Sequence, residues 1–145
     1  MKSNDQPKMS AEQVQVFLDS DFPEANFYGK TYEILSVTTA GADVMLLSHE
    51  RHLRPGGTIS GPAMMALVDV AAYVGLLGNI GPVALAVTTN LSISFVRKPE
   101  PGHLIASCEI IKLGRRLAVL DVRIRSEGSE AIVAQASVTY AIPQE

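Results

Sequence analysis

The stretch "SGPAMMALVDVAAYVGLLGN", residues 60–79, decides the fold. From Ala63 to Gly78 its only charged side chain is Asp69; the rest are aliphatic residues, methionines, glycines and one tyrosine. Ser60 or Gly61 can cap a helix here, Pro62 suits its first turn, and Gly78 offers a C-terminal stop. The apolar run is short for a membrane span of ~20 residues and carries a carboxylate at its centre, so it reads as the core helix of a soluble protein. A helix that is apolar all round must be covered all round. One flat sheet face covers a single side, so the sheet has to curl and a second chain has to close the remainder. Burying an unpaired carboxylate is expensive unless it goes neutral, which makes Asp69 the first candidate for function.

The flanking sequence supplies the cover. Residues 1–9 read as a loose tail, with a single domain over 10–145. Ser10 followed by Gln13 is a capping-box pattern, and Val14, Phe17 and Leu18 share one face, predicting a short helix over 10–19 that ends near Asp21-Phe22-Pro23. Strands are predicted at 31–39 and 42–49 with a turn at Ala40-Gly41. After the central helix, residues 85–95 alternate with period two. Leu85, Val87, Thr89, Leu91, Ile93 and Phe95 fall on one face, and Ala86, Thr88, Asn90, Ser92 and Ser94 on the other. Three more strand-like runs follow, separated by "KPEPG", Gly114 and "SEGSE". The last places Ile132, Ala134, Ala136, Val138 and Tyr140 on one side. The order is helix, two strands, long apolar helix, four strands.

Composition narrows the class. With 145 residues the chain can bury a core as one domain. A net charge of −3 gives no reason to expect a nucleic-acid surface. Cys108 is the only cysteine, so no intramolecular disulfide can form. The polar start "MKSNDQPKMSAEQ" lacks the apolar core of a signal peptide. The expected location is cytoplasmic.

The stretches "GGTISGPAMMALVDVAAY" and "AVTTNLSISFVRKPEPG", with the later "AQASVTYAIP", carry a resemblance over roughly residues 30–142. They resemble the hotdog-fold acyl-CoA thioesterases, specifically the phenylacetic-acid-degradation (PaaI-like) branch. The resemblance implies an α+β fold, a curved antiparallel sheet around a long central helix. It implies hydrolysis of a small or medium acyl-CoA, aromatic acyl groups included, to free acid and CoA. In the family the helix carboxylate is general base or nucleophile, which falls on Asp69. A backbone N–H at the start of the same helix polarises the thioester carbonyl, which falls on Gly61. That role suits helix physics, since the first N–H groups lack internal partners and favour negative charge. Asp69 lies eight residues further on, about 12 Å by helical rise. One carbonyl cannot touch both groups of one helix, and the family builds the site between two subunits, so a homodimer or a homotetramer (a dimer of dimers) is implied. A polar residue on the facing strand, here Thr88, positions the attacking water.

The motif departs from the family in places. Relatives read His-Gly-Gly where this chain has Ser60-Gly61-Pro62, and an Asn where this chain has Arg54. Pro62 provides no N–H, while Ser60 and Arg54 can still contact substrate. Tyr73, one turn beyond Asp69, and Asn90, beside Thr88, are further substrate-binding candidates. Arg97, Lys98, Arg115 and Arg116 lie at strand ends and turns where cations hold nucleotide phosphates; a solvated turn explains them equally well. His49 and His52 are three apart, which on a strand sends them to opposite faces, and no cysteine or carboxylate cluster completes a metal set. No metal or redox cofactor is needed. The rival reading is a non-catalytic acyl-CoA-binding protein, a sensor or carrier, motivated by the altered Ser60-Gly61-Pro62 motif. A hydratase would pair the Asp with a His five residues later, where this chain has Val74.

Overall fold

The computed structural model describes residues 6–26 and 29–144; residues 1–5 of the expected tail lie outside them. The chain forms α1 (Ala11–Asp21), β1 (Tyr32–Thr38), β2 (Gly41–Leu46), α2 (Gly61–Ile80), β3 (Val87–Phe95), β4 (Leu104–Leu113), β5 (Leu117–Ser126) and β6 (Ile132–Ala141). One antiparallel six-stranded sheet runs β1-β2-β4-β5-β6-β3, so the strand that follows the helix closes the sheet at its far edge.

Local chemistry sets the element ends. Ser10 caps α1 with the predicted reciprocal box: Gln13 donates its N–H to Ser10 Oγ at 3.1 Å, and Ser10 donates its N–H to Gln13 Oε1 at 2.8 Å. Ser60 caps α2, accepting from the Ala63 N–H at 3.2 Å. The helix does not stop at Gly78. It continues to Ile80 and ends at Gly81, whose φ of 96° is open to glycine. Gly75 and Gly78 lie inside the helix for a different reason, close approach to the sheet. A Cβ at Gly78 would collide with Val37 Cγ1, and one at Gly75 would lie 2.9 Å from Cys108 Sγ. The residue that precedes the α1 cap is tied to the end of α2 as well, since Met9 donates its N–H to the Gly78 carbonyl at 3.1 Å.

The sheet curls around α2 as its apolar surface demands. Leu67, Val68, Ala71, Ala72, Val74, Leu76 and Leu77 are fully buried. They meet Val44 and Leu46 of β2, Leu104 and Ala106 of β4, and Leu120, Val122 and Ile124 of β5. By composition α2 could cross a membrane, but most of its surface is buried within the fold. The cover is incomplete on one stripe. Pro62, Met65 and Ala66 are exposed, with Asp69 half-buried at the end of the same stripe, on the i, i+3, i+4, i+7 spacing of one helix face. This is the hotdog arrangement.

Candidate active site

Asp69 faces β3 and β6 rather than the sealed core. Its Oδ1 accepts from Thr88 Oγ1 at 2.5 Å and from the Tyr140 hydroxyl at 2.9 Å. Tyr140 also lies 3.2 Å from the Asp69 backbone carbonyl. Thr88 reaches this position because of an irregularity in β3. Thr88 pairs with Tyr140, yet Asn90 pairs with Thr139, so an extra residue is accommodated between them. Such a bulge re-aims side chains. It puts Thr88 on the inner face with Leu91 and Ile93, whose partners Val138 and Ala136 are buried. Simple alternation would have placed Thr88 beside Asn90. The structure corrects that expectation: Asn90 is exposed on the opposite face.

A cavity of about 500 Å³ opens beside the carboxylate. Ala66, Asp69, Val70 and Tyr73 of α2 form one wall, Thr88 and Tyr140 another, and Asp21, Phe22, Glu24 and Ala25 the mouth. Four aromatic rings, Phe22, Tyr32, Tyr73 and Tyr140, take part in the lining. Tyr73 stacks on Tyr140 with centroids 6.0 Å apart and planes 18° apart, and meets Phe22 edge-on at 6.2 Å. The Tyr73 hydroxyl donates to the Ala84 carbonyl at 3.0 Å, which fixes the ring. Burial, reinforced by the Asp69 carboxylate, holds the Tyr140 phenol well above its ordinary value, so it stays a proton donor. Burial likewise raises Tyr73, with Asp21 adding to it.

Gly61 lies against a second cavity, at the other end of the exposed stripe. Arg54, Met64, Phe95, Arg97 and Lys98 line it. The Gly61 N–H finds no acceptor among the described residues, as the first position of a helix allows. Arg54 sits in a tight turn, donating its N–H to the Thr58 carbonyl at 2.9 Å. Arg97 donates through Nη1 to the Ile132 carbonyl at 3.0 Å. Thus Asp69, Thr88 and Tyr73 converge on one cavity, and Gly61, Arg54, Arg97 and Lys98 on the other. Arg115 and Arg116 lie in the β4–β5 turn and line neither; Arg115 contacts Gln144. Ser60 serves the helix as its cap.

Two further points differ from the sequence reading. Tyr140 was legible only as an inner-face residue of the last strand, although a buried tyrosine hydroxyl usually has a partner; that rule is the signal that finds it. His49 and His52 do meet, because a 3-10 turn at Glu50–His52 brings their rings to 5.7 Å. His52 Nδ1 accepts from the His49 N–H at 2.9 Å, and burial, with Arg51 and His49 nearby, lowers the His52 pKa.

Known proteins share this fold. A solved structure from Silicibacter sp. TM1040, assigned as a thioesterase, is 42% identical, with a TM-score of 0.87 over 96% of this chain and 95% of that one. A mutant of the phenylacetic acid degradation protein PaaI from Thermus thermophilus is 27% identical, with a TM-score of 0.69, covering 84% of this chain and 98% of that one. The 1,4-dihydroxy-2-naphthoyl-CoA hydrolase of Listeria monocytogenes is 26% identical over 110 residues, 76% of this chain and 89% of its own length. The thioesterase superfamily description matches residues 56–133, a span that holds both the helix bearing Asp69 and the strand bearing Thr88, and this chain therefore belongs to that superfamily.

Proposed function

We propose that the protein hydrolyses the thioester of a small or medium acyl-CoA, aromatic acyl groups included, to free acid and CoA. The observation that carries this reading is the Asp69 carboxylate, held by hydroxyls at the wall of a cavity of about 500 Å³ lined by aromatic rings. Asp69 acts as general base toward water or as nucleophile toward the acyl carbon. Thr88 holds the carboxylate and can orient the water. The Gly61 N–H, at the positive end of α2, receives the oxyanion. The CoA hydrolase relative supports an acyl-CoA substrate, and the PaaI relative supports a PaaI-like place in the family. A thioesterase from Streptococcus pneumoniae TIGR4 was solved with coenzyme A, though at 20% identity it speaks to the fold alone.

The two cavities make the reading a two-chain one. Asp69 and Gly61 lie about 12 Å apart along one helix, so one carbonyl reaches both only if Gly61 comes from a second protomer. The uncovered stripe Pro62, Met65, Ala66 and the edge strand β3 are the surfaces such a protomer would cover. The assembly is a homodimer, or a tetramer made from two of them. Arg97 and Lys98, with Arg54, then stand where CoA phosphates would enter, and Arg115 and Arg116 form a second cationic site at a turn. Asn90, exposed on β3, contacts substrate only through such an assembly. Water is the second substrate, no cofactor takes part, and the setting is cytoplasmic.

A panel of acyl-CoA thioesters assayed for thiol release tests the reading. Asp69→Asn should lower kcat by about 10³-fold or more while the protein stays folded and associated. Parent-rate turnover in that variant would refute the mechanism. Tight acyl-CoA binding with no thiol release by the parent would favour the carrier reading instead.

A further inference from the structure

Two hydroxyls converge on one oxygen of Asp69. Thr88 and Tyr140 are cross-strand partners on β3 and β6, and both donate to Oδ1. No hydrogen bond reaches Oδ2 among the described residues, and none of their buried side-chain oxygens lacks a partner. Oδ2 is therefore open to the cavity rather than sealed. The two oxygens of the carboxylate are not equivalent: one is anchored and one is free.

The anchor is rigid on the tyrosine side. Tyr140 is 3% exposed, and its ring is held by the stacked Tyr73, whose own hydroxyl is tied to Ala84. The Asp69 backbone carbonyl lies within reach of the same phenol, which ties the carboxylate's rotamer to the helix that carries it. Other groups near Asp69 do not take this role: Tyr32 of β1, with Asp21 and Glu24 at the mouth, lines the cavity, and none of them donates to Asp69.

We propose that Tyr140 is a positioning residue for hydrolysis: with Thr88 it anchors Oδ1 and so assigns Oδ2 as the reacting oxygen. This rests on the thioester-hydrolase reading above. In the water-activation form, Oδ2 accepts a proton from water as the water oxygen bonds to the acyl carbon. The C–S bond then breaks, its electron pair leaves on the CoA sulfur, and the proton held on Oδ2 passes to that sulfur. A carboxylate free to rotate about its Cβ–Cγ bond would present either oxygen, and would hold neither at attack geometry.

The test uses the full-length protein with steady-state thiol release and thermal melting. Tyr140→Phe removes one hydroxyl and keeps the ring that walls the cavity. It should lower kcat by about 10-fold, with KM within about twofold because the wall is intact. Thr88→Val should behave similarly, and Thr88→Ser should restore activity. In the double variant Tyr140→Phe/Thr88→Val the loss should exceed the product of the single losses, because either hydroxyl alone still anchors Oδ1. Parent-level kcat in Tyr140→Phe, a rise in KM that accounts for the whole effect, or simple multiplication in the double variant overturns the proposal. If Tyr140→Phe does not fold, Thr88→Val decides: residual activity well above Asp69→Asn supports the second anchor, and a fall to the Asp69→Asn level overturns it. A fully active Asp69→Asn would instead bring down the underlying reading, and an inactive Asp69→Asn beside an unaffected Tyr140→Phe brings down the positioning role alone.

Discussion

Gly75→Ala tests how closely α2 is set on the sheet. A Cβ at this position would lie 2.9 Å from Cys108 Sγ, and 3.6 Å from the Ala42 nitrogen and the Gly41 carbonyl carbon. The last two distances are ordinary contact; the first is well inside the optimum separation, so the sulfur must turn or the helix must lift. Overpacking of this size costs about 1–3 kcal/mol, and alanine returns about 1 kcal/mol of helix propensity. The net expectation is a loss of about 1 kcal/mol, or a melting temperature lower by about 2–4 °C for a chain near this size. The cause is a single atom, so it can be removed. Cys108→Ala alone deletes a buried sulfur and should cost about 1 kcal/mol. In Gly75→Ala/Cys108→Ala the clash is gone, and only the 3.6 Å contacts remain. The double variant should be at least as stable as Cys108→Ala, a coupling of about 1–2 kcal/mol. Urea unfolding of the four proteins, fitted with a shared slope, measures it. Strict additivity would show that the helix already has room at Gly75 and that the close approach has been misjudged.

Two other predictions concern stability. Burial, with Asp121, Asp43 and Glu109 adding to it, pushes the Cys108 thiol up to about 12 from 9.0. Burial also raises the Tyr32, Tyr73 and Tyr140 phenols above 10.0. For each group the unfolded chain loses its proton first, so it binds fewer protons and stability falls as pH rises. The contribution is complete below about pH 9 and is lost as the pH climbs toward 12. Melting temperatures should drop steeply over that range, less so in Tyr140→Phe, and a flat profile would contradict the burial of these groups. Ser60→Ala should remove the α2 cap and cost about 1 kcal/mol, whereas Ser60→Asp should retain it; equal melts for Ser60→Ala and the parent would show that the Ser60 hydroxyl contributes nothing as a cap.

The apolar helix was readable from sequence because its composition leaves no alternative to full cover, and β5 and β6 because their period of two runs unbroken from Ala118 to Ile124 and from Ala134 to Tyr140. Its end was misplaced for a local reason. A glycine in a helix can mark a stop or a close neighbour, and only the position of Val37 shows that Gly78 is the second kind. Asp69 was legible because a lone charge in an apolar run demands an explanation. Thr88 was named as its neighbour through a family resemblance, while the alternation pattern pointed it the wrong way. Tyr140 was hidden by success of the pattern, since it looked like one more inward residue of β6. Its hydroxyl acts across 71 positions of sequence, a distance that periodicity does not see. The closure of the site by a second chain could be argued from the spacing of about 12 Å along the helix, but the partner's geometry belongs to no single-chain pattern.

The bulge in β3 divides one strand into two reading frames. Downstream of it, from Asn90 to Phe95, odd residues face inward and even residues outward; upstream, the parity is reversed. Packing and chemistry are thereby drawn from separate registers of the same strand. A point substitution at Thr88 changes what touches the carboxylate without disturbing Leu91 or Ile93. Pairing Thr89 into the ladder, with every residue kept, would turn Thr88 to the Asn90 face and away from Asp69, whereas a one-residue deletion at Thr89 would make the alternation regular and leave Thr88 opposite Tyr140. In this fold, the reach of Thr88 to the carboxylate can therefore be lost through a change of register rather than of residue type.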